Sequence, residues 1–262
     1  MNIIVCIKQV PDTTEVKIDP KTNTLIREGV DSILNPFDAY ALEEAVRIRE
    51  AKGGKVTAIT MGPPQAESVI RDAIAVGADD GILLSDPAFA GADTLATSFT
   101  LSTAIRKIGS FDLIFCGKQA IDGDTAQVGP GIAAYLDIPQ IAFVKKIRDL
   151  TDQKVVAERM VEDGIEVVES TIPVLITVVK DINEPRMPSL RGKMNAKKAE
   201  VTVWTSKDLD ADASRLGLNG SPTWVDKISS PPPKSGGEKF EGEPKDIVKA
   251  FVERLKADNL LQ

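Results

Sequence analysis

The sequence predicts an α/β protein with a doubly wound, mostly parallel sheet of the adenine-nucleotide-binding type, carrying added antiparallel strands and an extended C-terminal arm. Three observations predict it: recurrent apolar runs, helical patterns between them, and a Gly-rich polar loop after one run. The runs are apolar on both faces, as strands of a covered parallel sheet must be. They lie at Asn2–Val10, Val56–Met61, Gly81–Ser85, Phe111–Gly117 and Pro173–Val179. Strands alternating with helices at this spacing favour a doubly wound sheet.

The helical patterns carry their own start and stop signals. Asn35 can cap the first helix, with Pro36 at its first position and Asp38 in its first turn. The second pattern ends at Gly77, a residue type typical of helix C-termini. The third runs from Asp93 to about residue 107.

The pattern changes after Pro139. Two extended segments, Lys154–Met160 and Ile165–Ser170, flank Glu162-Asp163-Gly164. An Asp-Gly pair between such runs indicates a β-hairpin. We therefore expect antiparallel strands added to the parallel sheet.

The last part of the chain differs again. Ser206–Gly242 is polar and rich in Pro and Gly, including Pro231-Pro232-Pro233, and is poorly equipped to bury a core. Glu243–Leu261 then returns to amphipathic helical spacing. We expect a nucleotide-binding domain at 1–204 and, at 205–262, an arm whose helix docks on its own domain or on a partner.

Composition excludes several classes of function. The net charge of −7 argues against a nucleic-acid binder. The sequence lacks an apolar run of the roughly 20 residues that membrane insertion requires. It contains no histidine, which excludes imidazole catalysis and most zinc sites. Cys6 and Cys116 lie in separate apolar runs, so we expect buried free thiols, no metal site and a cytoplasmic, reducing location. Redox chemistry would need a bound cofactor.

The loop Gly117–Pro130 is the most informative segment, because a strand that ends in a Gly-rich loop and re-enters a helix is where α/β proteins hold nucleotides. Asp122 and Asp124 would repel a phosphate and suit ribose hydroxyls instead. Thr125, Gln127 and main-chain amides remain for a diphosphate. The alternative is an ordinary polar loop.

Other residues are expected at the same edge of the sheet. Cys6, Met61 and Gly117 end predicted strands, and Asn35-Pro36-Phe37-Asp38 follows an early one. Open α/β sheets bind ligands at the carboxyl ends of their strands. The alternative for Asn35-Pro36-Phe37-Asp38 is a simple helix cap.

A basic segment follows the last strand. Two prolines bias Asn183–Leu190 toward extended or turn conformations. One interpretation is a solvated loop; the other is a docking loop in which Leu190 inserts into a partner and basic residues steer acidic surfaces. The basic residues are Arg191, Lys193, Lys197 and Lys198.

With these motifs assembled, the chain resembles the beta subunit of electron-transfer flavoproteins over nearly its whole length. The most diagnostic match is Asn183-Glu184-Pro185-Arg186 followed by Ser189-Leu190 and Met194–Lys198. The remaining motifs are the Ile3–Val10 strand with Lys8, the Asn-Pro-Phe turn, the Gly62-Pro63 turn and the Gly-Lys-Gln-Ala-Ile-Asp loop.

The resemblance implies a heterodimer with an alpha subunit that carries FAD, while beta holds AMP in one branch and a second FAD in another. In the two-FAD branch, beta FAD accepts electrons from NADH. The heterodimer then bifurcates them between ferredoxin or flavodoxin and an acyl-CoA or hydroxyacid dehydrogenase. NADH oxidation is expected only in the assembled complex.

The resemblance also assigns residues. Leu190 matches the anchor that recognises dehydrogenases, with Arg186, Arg191 and Lys193 as further docking residues. The nucleotide contacts carried over by position are Cys6, Asn35, Pro36, Phe37, Asp38, Met61, Gly117, Lys118, Gln119, Ala120, Ile121, Asp122, Gly123, Asp124, Thr125, Ala126, Gln127 and Val128.

The choice between AMP and FAD rests on local detail. Val10-Pro11-Asp12-Thr13 and the loop after Gly117 resemble the two-FAD branch. Gly123, Thr125 and Ala126 are small and would leave room for a diphosphate and the rest of FAD. FAD is therefore favoured, with AMP as the alternative. A universal-stress-like nucleotide sensor is the rival from another class, but it would have no use for the docking loop or the arm.

Overall fold

The computed structural model describes residues 1–12, 32–226 and 236–261. Thr13 and Pro231-Pro232-Pro233, which entered the sequence predictions, lie outside the described residues. The chain divides into two compact units, Met1–Asp226 and Lys227–Gln262.

The first unit contains two sheets. Their strands are β1 Asn2–Cys6, β2 Gln9–Pro11, β3 Ser32–Leu34, β4 Lys55–Met61, β5 Asp80–Leu84, β6 Leu113–Gly117, β7 Gln140–Leu150, β8 Lys154–Val161, β9 Gly164–Thr171, β10 Val174–Val178 and β11 Thr202–Trp204. The helices of the described chain are α1 Pro36–Lys52, α2 Glu67–Val76, α3 Thr94–Ile108, α4 Val128–Leu136, α5 Leu190–Lys198, α6 Ser206–Leu209 and, in the second unit, α7 Pro244–Ala257.

Nine strands form the main sheet in the order β11-β5-β4-β1-β6-β10-β7-β8-β9, and β2 pairs with β3. Neighbours from β11 to β7 run parallel, whereas β8 and β9 are antiparallel additions. Because the chain moves from β1 to β4 on one side and later to β6 on the other, the strand order reverses at β1. The predicted doubly wound fold is confirmed.

Two apolar cores lie on opposite faces of the main sheet. Leu42 of α1 and Ile70 of α2 belong to one core, and Ile105 of α3 and Ile132 of α4 belong to the other. Each such buried side chain stabilises the fold by about 1.5–3 kcal/mol. The sheet is therefore covered on both faces, which is why its central strands read as continuous apolar runs.

Three local expectations were incomplete. The single strand expected at Asn2–Val10 is two strands, because the Lys8 N–H leaves the sheet and donates to Asp38. Strand β7 was not predicted, since its charged residues face solvent beside apolar ones. The basic segment is not a loop: Ser189 caps α5 by accepting a hydrogen bond from the Gly192 N–H at 3.0 Å.

The boundary between units lies later than the predicted 204/205. Residues 205–226 belong to the first unit, where Leu209 and Leu216 are buried in the core beneath α3. Hydrogen bonds from Ser206 to Asp86 and from Thr223 to Asp93 also anchor this otherwise polar stretch. In the second unit the rings of Phe240 and Phe251 meet edge to face, with centroids 5.9 Å apart.

Candidate functional site

The candidate site lies where the strand order of the main sheet reverses. Cys6 at the end of β1 is in register with Cys116 of β6. Gly117 ends β6, and Lys8 lies two residues after the end of β1 at the same edge of the sheet. This is the position at which open α/β sheets bind ligands.

Asp38, in the first turn of α1, joins the two central strands. Its Oδ2 accepts a hydrogen bond from the Lys8 N–H at 2.7 Å, and its Oδ1 accepts one from the Gly117 N–H at 3.1 Å. Burial raises the pKa of Asp38 to about 7, and the hydrogen bonds that favour its charged form offset this only in part. Asp38 therefore sets the positions of both chain segments that leave the sheet.

The side chain of Asn35 holds the loop that follows β6 by hydrogen bonds. This residue precedes α1 as predicted, but its side chain does not cap the helix. Instead its Nδ2 donates to the Gln119 carbonyl at 2.9 Å, and its Oδ1 accepts from the Ile121 N–H at 3.2 Å. Because Asn35 is only 1% exposed, these bonds form away from water. Asn35 thus does more than begin a helix.

Gly117 allows β6 and α1 to approach closely. A Cβ atom at this position would lie 2.4 Å from Asp38 Oδ1 and 2.6 Å from the Phe37 carbonyl carbon. Any other residue would push the first turn of α1 away from the strand. Phe37 is partly buried beside this contact, whereas Pro36 is exposed.

The predicted nucleotide loop is open to solvent over most of its length, with residues 121–125 exposed and Lys118, Gln119 and Ala120 partly buried. Asp122 pairs with the Lys8 ammonium at 2.6 Å. The ammonium thus balances the charge of Asp122, which was predicted to repel a phosphate. Sequence reasoning omitted Lys8 from the site, because the single strand predicted at Asn2–Val10 placed this residue inside a strand.

Helix α4 begins at the far end of this loop. Its first residue is Val128, and the preceding Gln127 side chain does not cap it. The Gln127 Oε1 instead accepts a hydrogen bond from Thr94 Oγ1 at 3.0 Å, a partner that the sequence did not reveal. Ala126 adopts a left-handed conformation with φ 54° as the chain enters the helix. Uncapped helix amides favour an anion.

A cleft of about 410 Å³ adjoins the loop at Lys118. Phe143 and Met160 line it, and the Lys118 ammonium lies 5.5 Å from the Phe143 ring centroid. Phe143 has a left-handed backbone with φ 62°, and its N–H donates to Thr177 Oγ1 at 2.9 Å. Sequence reasoning missed Phe143, because β7 itself was not predicted.

The two cysteines and Met61 lie at the same site but do not hold its loop in place. Met61 ends β4 at the same edge of the sheet, one strand from β1. Cys6 and Cys116 are buried free thiols, as predicted. A hydrogen bond with Cys6, together with burial, raises the pKa of Cys116 well above its usual value. The Cys116 thiol is therefore a poor nucleophile.

The predicted docking residues lie away from this loop, outside α1 and α2. Leu190 is 80% exposed at the start of α5, and Arg191 and Lys193 are exposed beside it. Arg186 differs from them, because it forms ion pairs with Glu43 and Glu50. The structure thus separates the predicted residues into two regions.

Within the described ranges, no group of three or more acidic or sulfur ligands is placed to hold a metal ion. The described helices likewise include none of the length and apolarity needed to cross a membrane.

Comparison with known proteins gives consistent matches. Residues 22–209 match the family model described as "Electron transfer flavoprotein domain". The chain is 56% identical to the "Electron transfer flavoprotein subunit beta" of Thermoanaerobacterium thermosaccharolyticum, over all of both chains. It is 49% identical to the "Caffeyl-CoA reductase-Etf complex subunit CarD" of Acetobacterium woodii, and 49% identical to the "Electron transfer flavoprotein subunit beta" of Clostridium acetobutylicum, again over the full lengths.

Proposed function

Because this chain belongs to the electron transfer flavoprotein family as a beta subunit, we propose that it binds FAD at the carboxyl edge of its main sheet. In a heterodimer with an alpha subunit, it would take electrons from NADH and share them between ferredoxin or flavodoxin and a dehydrogenase. The observation that supports this proposal most directly is the loop after β6. Hydrogen bonds from buried Asn35 hold this loop in place, and the loop leads into the uncapped start of α4.

The residues of this edge fit a dinucleotide. The uncapped α4 amides and the Thr125 hydroxyl suit a diphosphate. A Cβ added at Gly123 would meet no atom within 4 Å, so the loop leaves space above its backbone. The cleft lined by Lys118 and Phe143 offers further room for a planar ring. AMP would use only part of this space, which supports FAD.

FAD, when bound, supplies the redox chemistry that the side chains lack. The sequence contains no histidine, both thiols are buried, and a hydrogen bond with Cys6 together with burial raises the pKa of Cys116. The chain therefore contributes binding, orientation and electrostatics. Asp38 and Asn35 hold the loop in place, and the Lys8–Asp122 pair limits repulsion between Asp122 and a phosphate.

The decisive experiment is the nucleotide content of the co-purified heterodimer, measured by absorbance and by chromatography after acid release. Two FAD and no AMP per heterodimer are expected. One FAD with one AMP would place the chain in the conventional branch, where beta transfers no electrons itself, and would overturn the proposal.

A variant tests the location of the flavin. Replacing Asp124 and Thr125 with Trp should fill the loop and remove one of the two FAD. Asp152→Trp, in the exposed turn between β7 and β8 and away from the cleft, is the control and should leave both. Full flavin content in the loop variant would contradict the assignment.

The dehydrogenase partner is proposed to dock on α5. The name of the Acetobacterium woodii relative describes a complex with a reductase of a CoA thioester, which supports an acyl-CoA dehydrogenase as the partner class. Leu190, Arg191 and Lys193 supply an exposed apolar anchor with basic neighbours. Leu190→Ala should raise the KM of that dehydrogenase for the heterodimer about tenfold or more, as expected for a buried anchor.

The second unit is proposed to pack on the alpha subunit. Its helix α7 has no buried residue within the described 236–261 segment, and Val248 and Phe251 are exposed on it. An amphipathic helix with an uncovered apolar face is typical of an interface. Deleting residues 230–262 should weaken alpha binding and leave the circular dichroism of the α/β unit unchanged. Unaltered heterodimer formation would refute the assignment.

A further inference from the structure

The segment before α5 is bound to one side of α1. Asn183 Nδ2 donates to the Tyr40 carbonyl and to Glu44 Oε2, each at 3.0 Å. Arg47 Nη2 donates to the Glu184 carbonyl at 3.2 Å. These contacts recur at helical spacing along α1, so the chain from residue 183 onward follows that helix.

Arg186 makes the strongest of these attachments. Its Nε donates to Glu43 Oε2 at 2.8 Å, and its Nη1 donates to Glu50 Oε1 at 2.6 Å. Its Nη2 donates to both carboxylates, at 3.2 Å and 2.9 Å. The side chain thus directs four hydrogen bonds of its five-donor guanidinium at α1. Little of this group remains for a partner protein.

Glu43 is an unusual hydrogen-bond acceptor for Arg186, because this glutamate is only 1% exposed. Burial raises its pKa, but hydrogen bonds from Arg186 and Arg47 outweigh burial, so the pKa of Glu43 lies below its usual value. A buried carboxylate without these partners would be strongly destabilised. Glu43 therefore fixes the place of Arg186.

The exposed anchor residue, Leu190, follows Arg186 closely in the chain. Pro188 restricts the backbone between Arg186 and Ser189, and Ser189 caps α5. Gly192 then packs on α2, where an added Cβ would lie 2.1 Å from the Ala75 carbonyl oxygen. Leu190, between these attachments, is exposed on a helix start that is held at both sides.

We propose that Arg186 is a positioning residue, which acts through Glu43 and Glu50 to hold Leu190 in place for the dehydrogenase, and does not itself contact that partner. The inference rests on the proposed docking function of α5. It revises the sequence-based assignment of Arg186 as a docking residue.

A double-mutant cycle on the heterodimer tests it. The readout is the KM of the acyl-CoA dehydrogenase of the same organism for Arg186→Ala, Glu50→Ala and the double variant. If Arg186 acts through Glu50, Glu50→Ala raises KM about twofold and Arg186→Ala roughly tenfold, and the double variant stays near tenfold, because contacting residues are non-additive. If the two effects multiply, Arg186 meets the partner directly and the inference is overturned.

Arg191→Ala combined with Glu50→Ala is the matched control. Arg191 is exposed and is proposed to contact the partner, so these two effects should multiply. Arg186→Lys keeps the charge but cannot bridge both carboxylates. Wild-type KM in Arg186→Lys would contradict positioning by the guanidinium fork.

Hydrogen exchange gives a readout without the partner. Arg186→Ala should speed exchange of the Gly192 and Lys193 amides, which bond to Ser189, and leave the Ile121 amide protected. Unchanged exchange at Gly192 and Lys193 would refute positioning. The Leu190→Ala variant separates the two proposals: a wild-type KM there removes the docking function itself. A raised KM there with multiplying Arg186 and Glu50 effects removes only the positioning inference.

Discussion

Helix α1 holds two regions of the first unit by different chemistry. Its first turn binds the loop after β6 through Asn35 and Asp38, which are 1% and 6% exposed and bond mostly to backbone groups. Its later turns bind the segment at 183–186 largely through ion pairs, including one to Glu50, which is 49% exposed in its side chain.

The two kinds of bond suit the different proposed functions of the two regions. Partly buried bonds to the backbone respond little to salt, which suits a binding site for a small ligand. Ion pairs hold the polar segment at 183–186 against the helix. The Arg186–Glu50 pair lies near the surface, so it is weaker and is screened by salt, whereas the Glu43 carboxylate is buried.

The largest expected effect comes from Asp38→Ala. At pH 5, where Asp38 is largely neutral in the folded chain, the change leaves the partly buried Lys8 and Gly117 N–H groups without their acceptor. We expect a loss of about 2–4 kcal/mol in the free energy of unfolding, since each unsatisfied buried group costs about 1–3 kcal/mol. Urea unfolding of the nucleotide-free chain measures it. A loss below 1 kcal/mol, within the range of surface substitutions, would show that water replaces the carboxylate.

The pH dependence of stability should carry the signature of Asp38. Its pKa is about 7 when folded against an ordinary value of 3.8, so its stabilising effect is complete below 3.8. As pH rises toward 7 the unfolded chain ionises first, and stability falls by about 2–4 kcal/mol.

The non-titrating Asp38→Asn variant isolates this effect. Burial also raises the pKa values of Glu44 and Asp72, so only the difference between the two proteins reports Asp38. Equal slopes of unfolding free energy against pH between 4 and 7 would show that Asp38 titrates normally.

The next effect concerns the close approach of β6 to α1. Gly117→Ala places a Cβ within 2.4 Å of Asp38 Oδ1, so the first turn of α1 must move. We expect about 1–3 kcal/mol of destabilisation, as for other overpacked sites, together with reduced nucleotide content. Gly123→Ala is the control, since its Cβ meets no atom within 4 Å, and its unfolding free energy should stay within about 0.5 kcal/mol of wild type. Equal stabilities of the two variants would refute the packing argument.

The smallest effect distinguishes the two attachments of α1. Glu50→Gln should cost about 0.5 kcal/mol at low salt, because its partner Arg186 keeps Glu43 and the pair is partly exposed. The cost should vanish in about 1 M salt, where the Debye length is roughly 3 Å. The Asp38→Ala cost should persist under the same conditions. A salt-independent Glu50 effect would place that pair among the buried bonds.

Local sequence patterns were sufficient to predict the central architecture. Apolar runs such as 111–117 have to be covered on both faces, and intervening amphipathic helices can do this in a parallel sheet. The Gly-rich loop after Gly117 and the Asp-Gly turn at Asp163 could also be predicted from the local sequence. Each depends on backbone conformations that few residue types adopt.

The hydrogen-bond partners of polar side chains could not be predicted in this way, because these partners lie far away in the chain. Asn35 reads as a helix cap, yet its side chain bonds to residues 119 and 121. Arg186 reads as a free docking charge, yet Glu43 and Glu50 take its guanidinium. Polar side chains can satisfy their hydrogen bonds locally or across the fold, and only the packed chain brings the distant partner within reach.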